Sequence, residues 1–381
     1  MTESDRSAIV DPRLPLPSEV TRILVIALPN IGDVLLCTPL LSALKVRYGA
    51  EIDVLLRPGQ GGILAGNPDV NQVLEIEGHP SFGDYVVQAR QLWRRYQLVV
   101  SNSLSTRAAL YGWVAAPIRV SVAGAPGMRH QEAKRFHTVS VDFDYGWHTL
   151  TLMRKLGEAL GLGVQGPVRL PGSPDAVEQV DSALASDLRT STGAEPPLAV
   201  LHANPGLPVK RWVPAHWATL ANALAAQGYR VLATGGPGQA EYDYVQTCFE
   251  GSPALNLCGA LSLAGLAELL RRTSLYVGVD TLASHMAAAL DRPGVALFGP
   301  GNPVIWGPWP QAQAAPIDSP WTGFGDGQVG NFALIQPRRP GSAPHRQTGP
   351  HDVDDAAEPV ANIAPDDVLA AVRRVTDRTS A

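Results

Sequence analysis

The stretch from Ser274 to Pro310 constrains the fold more than any other part of this chain. It begins with an apolar run, Leu275 to Val279, which has the length of a buried strand. A segment rich in alanine follows and ends at Leu290, with the composition of a helix. Gly294 to Phe298 is a second apolar run. Strand–helix–strand units of this kind build parallel sheets, so the stretch predicts an α/β fold with a parallel sheet.

Three polar residues of this stretch, Asp280, Thr281 and His285, fall where its first strand meets its helix. In open parallel sheets, ligands bind at this carboxyl end of the strands. Asp280 or Thr281 would cap the helix, whose first N–H groups and positive dipole end favour a phosphate. Thr281 and His285 are four residues apart and share one helix face. Two interpretations stay open here, a phosphate site and a capped helix with a buried, hydrogen-bonded histidine.

Predicted strands, among them Leu98 to Ser101 and Leu198 to His202, alternate with helices along most of the chain, and the unit from Ser274 to Gly299 completes the second sheet. This alternation predicts two doubly wound domains. A stretch rich in Gly and Pro interrupts the alternation at 161–174. We expect 124–144 to be a mobile surface loop and the last helix to pack back across the first domain. The predicted organisation is a flexible leader at 1–20, an N-terminal Rossmann-like domain at 21–165, a C-terminal Rossmann-like domain at 166–336, a disordered Pro/Gly-rich linker at 337–362 and a C-terminal helix at 363–381. Two such domains would face one another across a cleft.

Composition excludes several classes of protein. Hydrophobic residues make up 45% of the 381 residues, and the formal net charge is −5, which does not favour nucleic acid as a partner. The three cysteines have no metal-ligand spacing, and their sparse use fits a reducing cytoplasm. The polar N-terminus does not read as a signal peptide, and no apolar run reaches membrane-spanning length. We therefore predict a cytoplasmic protein whose membrane contact is at most peripheral.

Asp33 lies in the segment ALPNIGDVLLCTP, at a predicted strand-to-helix turn. It opens an apolar-rich segment to Tyr48 that we predict to be one helix. One interpretation makes it the N-cap of the helix, a common role of aspartate. The other makes it a carboxylate at the mouth of the ligand site, placed to take a proton.

Two further loops follow predicted strands of the second half. Asn204-Pro205-Gly206 can present backbone N–H groups to an anion, and Lys210 adds positive charge beside it. Lys210 could equally be a solvated loop cation. The loop before Glu241 lacks the spacing of a Walker A loop and of G-x-G-x-x-G. Glu241 could accept hydrogen bonds from a ribose or simply occupy the first turn of its helix.

Six segments between Arg22 and Pro310 together resemble glycosyltransferase family 9, the ADP-heptose:lipopolysaccharide heptosyltransferases. They read ILVIALPNIGDVLLCTPLLSALK, AGNPDVNQVLEI, LHANPGLPVKRWVPAHWATLA, RVLATGGP, LCGALSLAGLAELL and VGVDTLASHMAAALDRPGVALFGPGNP. The resemblance implies the GT-B architecture, two Rossmann-like domains around a central cleft. It also implies inverting sugar transfer without a metal ion or other cofactor, from a nucleotide sugar, ADP-heptose in the first place. The implied acceptor is a lipopolysaccharide core or a related glycolipid or oligosaccharide at the cytoplasmic face of the inner membrane.

By position, the resemblance implies that Asp33 is the catalytic base and that Lys210 faces the donor phosphates. Asp280, Thr281 and His285 match the donor-binding set, and Glu241 is a looser match for the ribose. These roles agree with the chemistry, because inversion requires a base on the acceptor side and a leaving diphosphate requires a cation and N–H donors.

One residue departs from the family pattern. The family usually has glycine after the Asp-Thr pair, and this chain has Leu282. A side chain there is expected to crowd the diphosphate or to alter the donor. Basic residues of the first domain would bind the acceptor, and the sequence does not choose among Arg57, Arg107, Arg129 and Arg135.

Two rival functions remain. A nucleotide-dependent oxidoreductase on a Rossmann scaffold is disfavoured because G-x-G-x-x-G follows no strand. A non-catalytic nucleotide-sugar binder is disfavoured because both Asp33 and Lys210 are present.

Overall fold

The computed structural model describes residues 14, 17–28, 30–77, 81–124, 131–185, 195–313, 317–339, 341–342, 356 and 358–377. The chain forms two compact units, Met1–Arg169 with Pro316–Asp318 and Leu170–Ala315 with Ser319–Ala381. Each unit is an α/β structure and is described by itself. The predicted cleft between two domains, and the predicted domain limits, stay predictions.

The first unit is built on a parallel sheet. Its elements are β1 (Arg22–Ile26), α1 (Ile31–Leu36), α2 (Thr38–Tyr48), β2 (Glu51–Leu56), β3 (Gln72–Glu75), α3 (Phe82–Leu92), β4 (Leu98–Ser101), α4 (Thr106–Ala115), β5 (Ile118–Ala123), β6 (Val139–Asp142) and α5 (Thr149–Ala159). In the described residues the strand order is β3-β2-β1-β4-β5-β6, and every pairing is parallel. The order reverses between β1 and β4, which is the switch point where ligands bind in such sheets.

The second unit repeats this plan. Its elements are α6 (Pro174–Ala185), β7 (Leu198–His202), α7 (Pro214–Ala226), β8 (Arg230–Thr234), α8 (Gln239–Cys248), β9 (Leu255–Asn256), α9 (Leu263–Arg272), β10 (Leu275–Val279), α10 (Leu282–Ala289), β11 (Gly294–Leu297), α11 (Pro303–Trp306), β12 (Gly327–Val329), β13 (Phe332–Ile335) and α12 (Pro365–Asp377). The strand order is β12-β13-β11-β10-β7-β8-β9 over the described ranges. Among the described strands of this sheet, β12 alone pairs antiparallel, with β13. Here the switch point lies between β7 and β10.

Burial explains why the central strands are continuous apolar runs. β10 is buried at all five positions, because helices cover both faces of a parallel sheet. The core of the second unit also contains Trp212 and Trp217, whose rings meet edge to face with centroids 4.9 Å apart. The indole N–H of Trp212 donates to the carbonyl oxygen of Ile363 at 2.8 Å, so this buried polar group is satisfied.

The predicted single helix from Asp33 to Tyr48 is wrong, since the structure has two helices that meet at Cys37. Pro39 is the cause. A proline cannot donate to the carbonyl four residues earlier, and its ring clashes with that group, here Leu35. The hydroxyl of Thr38 donates to the Leu35 carbonyl oxygen instead, at 2.8 Å.

The predicted mobile loop at 124–144 is also wrong over its described part. Gln131–Phe136 forms a short 3-10 helix, and β6 pairs with β5 at the edge of the sheet. Residues 125–130 lie outside the described residues. β6 alternates half-buried and exposed positions, so it lacks the apolar run that marks the inner strands.

The second sheet does not end at Gly299, as the sequence predicted, but continues into β13 and β12. Most of the predicted linker at 337–362 lies outside the described residues. Its last part is ordered, because Val360–Asn362 is a 3-10 helix and Val360 is fully buried. The final helix packs in the core of the second unit, through Val368 and Val372 among others.

The predicted leader at 1–20 is described only at Leu14 and at 17–20, where Pro17–Glu19 is a short 3-10 helix. Over the residues that the structure describes, no helix combines the length and apolar character that crossing a membrane requires.

Candidate functional site

Lys210 and Asp280 form the centre of the site in the second unit. Asp280 follows β10, and Lys210 ends a short 3-10 helix, Pro208–Lys210, in the loop after the neighbouring strand β7. The ammonium Nζ donates to Oδ2 of Asp280 at 2.5 Å. The two side chains are only 23% and 10% exposed, so the pair is largely shielded from solvent. The switch point thus carries a positive group that a carboxylate holds in position.

Helix α10 begins beside this ion pair. Its N-cap is Thr281, in extended conformation, and the side chain makes no capping hydrogen bond. The first N–H groups of the helix therefore receive no acceptor from the N-cap side chain, which favours the binding of an anion at this end. Leu282, which replaces the family glycine, is the first helical residue and is partly exposed.

His285 is buried in the second turn of α10, and its Nδ1 has no hydrogen-bond partner within the described ranges. Burial lowers the pKa of His285 to about 4; the charge of Asp280 opposes this shift, and that of Lys210 adds to it. His285 is therefore neutral at pH 7, with one ring nitrogen open to a ligand. One of the two interpretations from the sequence was a buried histidine with its hydrogen bonds made. Within the described residues, the structure shows no such bond at Nδ1 of His285.

The loop after β7 also contains Asn204 and Gly206. The Oδ1 atom of Asn204 is buried and has no hydrogen-bond partner among the residues described. Gly206 is exposed, and an added Cβ would meet nothing within 4 Å. Nothing around Gly206 therefore demands a glycine, and the predicted anion-binding role of this loop stays a prediction.

Glu241 supports the neighbouring loop. It lies in the first turn of α8, and its Oε1 accepts a hydrogen bond from the backbone N–H of Gly236 at 2.7 Å. A Cβ on Gly235 would come within 2.6 Å of the Cys258 sulfur, so the loop is packed tightly against its neighbours. This geometry matches the structural interpretation of Glu241, and contact with a ribose stays a prediction.

The sequence missed His202 and Thr234 at the ends of β7 and β8. Nδ1 of His202 and Oγ1 of Thr234 are 3.0 Å apart and hydrogen-bonded. Burial lowers the pKa of His202 to about 4, against the opposing charge of Glu241. The available signal was position, because each is the last residue of a strand that ends at the ligand edge.

The loop after β11 reaches the same place. Nε2 of Gln336 donates to the carbonyl oxygens of Gly299 and Gly301, at 2.6 and 2.8 Å. A Cβ on Gly301 would lie 3.2 Å from Oδ2 of Asp280. Gln336 therefore holds this loop close to the Lys210–Asp280 pair, a role that could not be predicted from the sequence.

Asp33 is the central carboxylate of the first unit. The N-cap of α1 is Asn30, so the prediction of Asp33 as N-cap is wrong in position. Asp33 is the third helical residue, and its Oδ2 accepts from the Asn30 backbone N–H at 3.0 Å. Burial raises the pKa of Asp33 to about 6, while hydrogen bonds from Asn30 and from the Thr149 side chain hold it down in part. The carboxylate is thus more basic than an ordinary aspartate.

Asn102 is a residue of the first unit that could not be singled out from the sequence. It follows β4, the neighbour of β1 at the switch point, and its backbone N–H donates to Ile26. The side chain is 6% exposed, and neither amide atom has a hydrogen-bond partner in the described part of the chain.

The four candidate acceptor arginines remain unselected. Arg57 is exposed after β2, and Arg107 donates to the Glu77 carbonyl oxygen at 3.3 Å. The guanidinium of Arg135 lies 4.9 Å from the centroid of the Phe136 ring. Arg129 lies outside the described residues. A role for any of them in acceptor binding stays a prediction.

No group of three or more His, Cys, Asp or Glu side chains suited to a metal ion occurs within the described ranges. Metal-independent chemistry remains a prediction.

This chain is similar in sequence to a known protein family and to several characterised proteins. A family model described as glycosyltransferase family 9 (heptosyltransferase) matches residues 88–318. Lipopolysaccharide heptosyltransferase 3 of Escherichia coli is 26% identical over an alignment of 296 residues. The alignment covers 73% of this chain and 83% of that protein.

Solved structures share the fold. A glycosyl transferase family 9 protein from Veillonella parvula superposes with a TM-score of 0.71 at 19% identity, over 93% of this chain and 97% of that one. An Escherichia coli heptosyltransferase solved with ADP gives a TM-score of 0.65 at 20% identity, over 93% and 100%. These neighbours confirm the predicted α/β fold of GT-B type.

Proposed function

Since this chain belongs to glycosyltransferase family 9, the family of the heptosyltransferases, we propose that it transfers heptose from ADP-heptose to a lipopolysaccharide core or a related glycoconjugate. The family match covers more than half of the chain and makes the protein a glycosyltransferase. It decides against the oxidoreductase alternative. The donor and acceptor are proposed because the relatives are lipopolysaccharide heptosyltransferases, one of them solved with ADP.

The observation that carries the donor proposal is the Lys210–Asp280 ion pair at the start of α10. A nucleoside diphosphate develops negative charge as it leaves, and a shielded ammonium beside free helix N–H groups stabilises that charge. The neutral ring of His285 lies in the same helix and can donate to or accept from the donor through Nδ1. Because the protein itself supplies these positive and polar groups, we propose that transfer needs no metal ion.

Asp33 is proposed as the general base. With its pKa raised to about 6, the carboxylate is largely ionised at pH 7 and still basic enough to take a proton. In an inverting displacement the acceptor oxygen bonds to the anomeric carbon and its proton passes to Asp33. The bond from that carbon to the phosphate oxygen breaks, and ADP departs.

The proposed acceptor also implies where in the cell the protein acts. A lipopolysaccharide core built inside the cell would be met at the cytoplasmic face of the inner membrane, and a peripheral position there is part of the proposal. Leu282 bears on the donor, because its side chain stands at the first turn of α10. We propose that it shapes the space around the diphosphate.

The test is a transfer assay on the purified chain with a panel of nucleotide sugars, with and without a heptose-accepting core oligosaccharide. We expect ADP release only with ADP-heptose and acceptor together, unchanged by EDTA, and a product with inverted anomeric configuration by NMR. Loss of activity on chelation would overturn the metal-independent proposal. Retained configuration would remove the role of Asp33, and exclusive use of another donor would overturn the choice of ADP-heptose.

A further inference from the structure

Helices α3 and α4 of the first unit expose large apolar side chains. Trp93, just after α3, is 60% exposed, and Trp113, on α4, is 51% exposed. Tryptophan is normally buried at least in large part. The α3–α4 patch comprises these two tryptophans and the other exposed apolar residues of the two helices, Tyr85, Val86, Val87 and Leu110.

A backbone hydrogen bond joins the two helices at the end of this patch that contains the tryptophans. The N–H of Arg94 donates to the carbonyl oxygen of Val114 at 3.0 Å, so the chain after α3 runs along the last turn of α4. Trp93 immediately precedes Arg94, and Trp113 immediately precedes Val114. The backbones of the two tryptophans therefore lie near one another. Nearer the start of α3, the rings of Tyr85 and Tyr111 stack with centroids 6.1 Å apart.

The patch is bordered by positive charge. Arg90, Arg94 and Arg95 are exposed, and no ion pair engages them within the part of the chain that the structure describes. Helix α3 has one acidic residue, Asp84, which lies in the first turn and accepts a hydrogen bond from the backbone N–H of Ser81. Helix α4 has no acidic residue. The guanidinium of Arg94 lies 5.8 Å from the Trp93 ring centroid. This basic border contrasts with the net charge of −5 of the whole chain.

We propose that the α3–α4 patch docks on the surface of a bilayer that contains anionic phospholipids. Tryptophan rings favour the membrane–water interface, because they are apolar bodies with a polar N–H. Valine and leucine side chains would enter the acyl boundary, and the arginines would pair with headgroup phosphates. A second copy of this chain fits less well, because a symmetric contact would bring the arginines of both copies together.

The inference deepens the proposed function, since a membrane-borne acceptor would bring the enzyme to that surface, but vesicle binding itself requires no substrate. The experiment is flotation of the full chain with vesicles of phosphatidylethanolamine and phosphatidylglycerol, and with pure phosphatidylcholine vesicles. We expect binding to the anionic vesicles and at least about tenfold weaker binding to the neutral ones. Salt at about 0.5 M should weaken the anionic binding, because it screens exposed charges.

Two double variants test the patch itself. Trp93→Ser with Trp113→Ser removes the aromatic anchors, and Arg94→Glu with Arg95→Glu reverses the charge. Each should reduce anionic vesicle binding at least about tenfold. The matched control is Val46→Ser with Arg47→Glu on α2, where Val46 is 87% exposed; it should bind like the wild type. Unchanged melting temperatures would show that the variants are folded.

Three results would overturn the proposal. These are equal binding by the wild type and both patch variants, absence of wild-type binding to anionic vesicles, and a dimer by light scattering that the tryptophan variant abolishes. Transfer to a short soluble acceptor should be unaffected by the patch variants. If the wild type binds vesicles but transfers no sugar, the proposed function fails and the docking surface stands.

Discussion

The ammonium nitrogen of Lys210 lies 2.5 Å from Oδ2 of Asp280, although the two residues are 70 positions apart in the chain. Their strands, β7 and β10, are neighbours in the second sheet, and the loops that follow them meet at the switch point. The carboxylate holds the lysine charge in one place. Five predictions follow from this site, the Asp33 site and the packing of the tail.

Lys210→Ala should weaken ADP binding and slow transfer, because it removes the cation proposed to face the diphosphate. The loss in transfer is expected to be about 2 to 4 kcal/mol, typical of a charge-stabilising group in an active site. Calorimetry with ADP and steady-state rates would measure both effects. The control is Arg211→Ala, an adjacent cation that lies 4.2 Å from the Tyr244 ring centroid and should matter less. Unchanged affinity and rate for Lys210→Ala would return Lys210 to a solvated loop residue.

His285 should make the free energy of unfolding fall as the pH drops from about 6.5 to 4. Burial lowers its pKa to about 4 in the folded chain, so between these pH values the unfolded chain binds the proton more readily. His285→Gln should therefore flatten the dependence of stability on pH in this window. Urea unfolding at several pH values would measure the slope. An identical slope for the variant and the wild type would mean that folding does not lower the pKa of His285.

Thr149→Val should move the acidic limb of the pH–rate profile to higher pH. The hydrogen bond from the Thr149 side chain lowers the pKa of Asp33, and burial, the larger effect, raises it to about 6. Valine keeps the shape of threonine and removes the hydroxyl. We expect the transfer rate of the wild type to fall below about pH 6, and that of the variant to fall at a higher pH. A limb that does not move would show that another group controls it.

Val360→Ala should lower the free energy of unfolding by about 2 kcal/mol, the usual order for deleting buried methyl groups. Val360 is fully buried in the core of the second unit, in a segment that the sequence predicted to be a disordered linker. The neighbouring Ala361 is exposed, so Ala361→Ser is the control and should be neutral within about 0.5 kcal/mol. Equal stability of both variants would contradict the observed packing of the tail.

The parts of the fold that were predicted well are the inner strands. The predicted and observed limits agree for β4, β7 and β10, because strands buried on both faces read as unbroken apolar runs. β6 and β13 were missed. β6 has no apolar run, because its positions alternate between half-buried and exposed. β13 is buried at all four positions, but its short apolar run follows a stretch rich in glycine and was overlooked.

The candidate site was also predicted only in part. Asp33, Asp280 and Thr281 could be located from sequence because each follows a strand at the ligand edge. The Lys210–Asp280 contact could not, because only the order of strands in the sheet brings these residues together. Asn102 and His202 could not be weighed either, since what distinguishes them is the burial and the hydrogen bonding of their side chains.

The most direct test of the proposed mechanism is acceptor-dependent release of ADP from ADP-heptose by Asp33→Asn against the wild type. An amide keeps the size of the side chain and can still accept the Asn30 hydrogen bond, but it cannot take a proton. The account predicts a loss of at least about a hundredfold in turnover, with near-normal melting and near-normal ADP affinity. A variant that keeps most of its turnover would show that Asp33 only secures the start of α1 and that the base lies elsewhere.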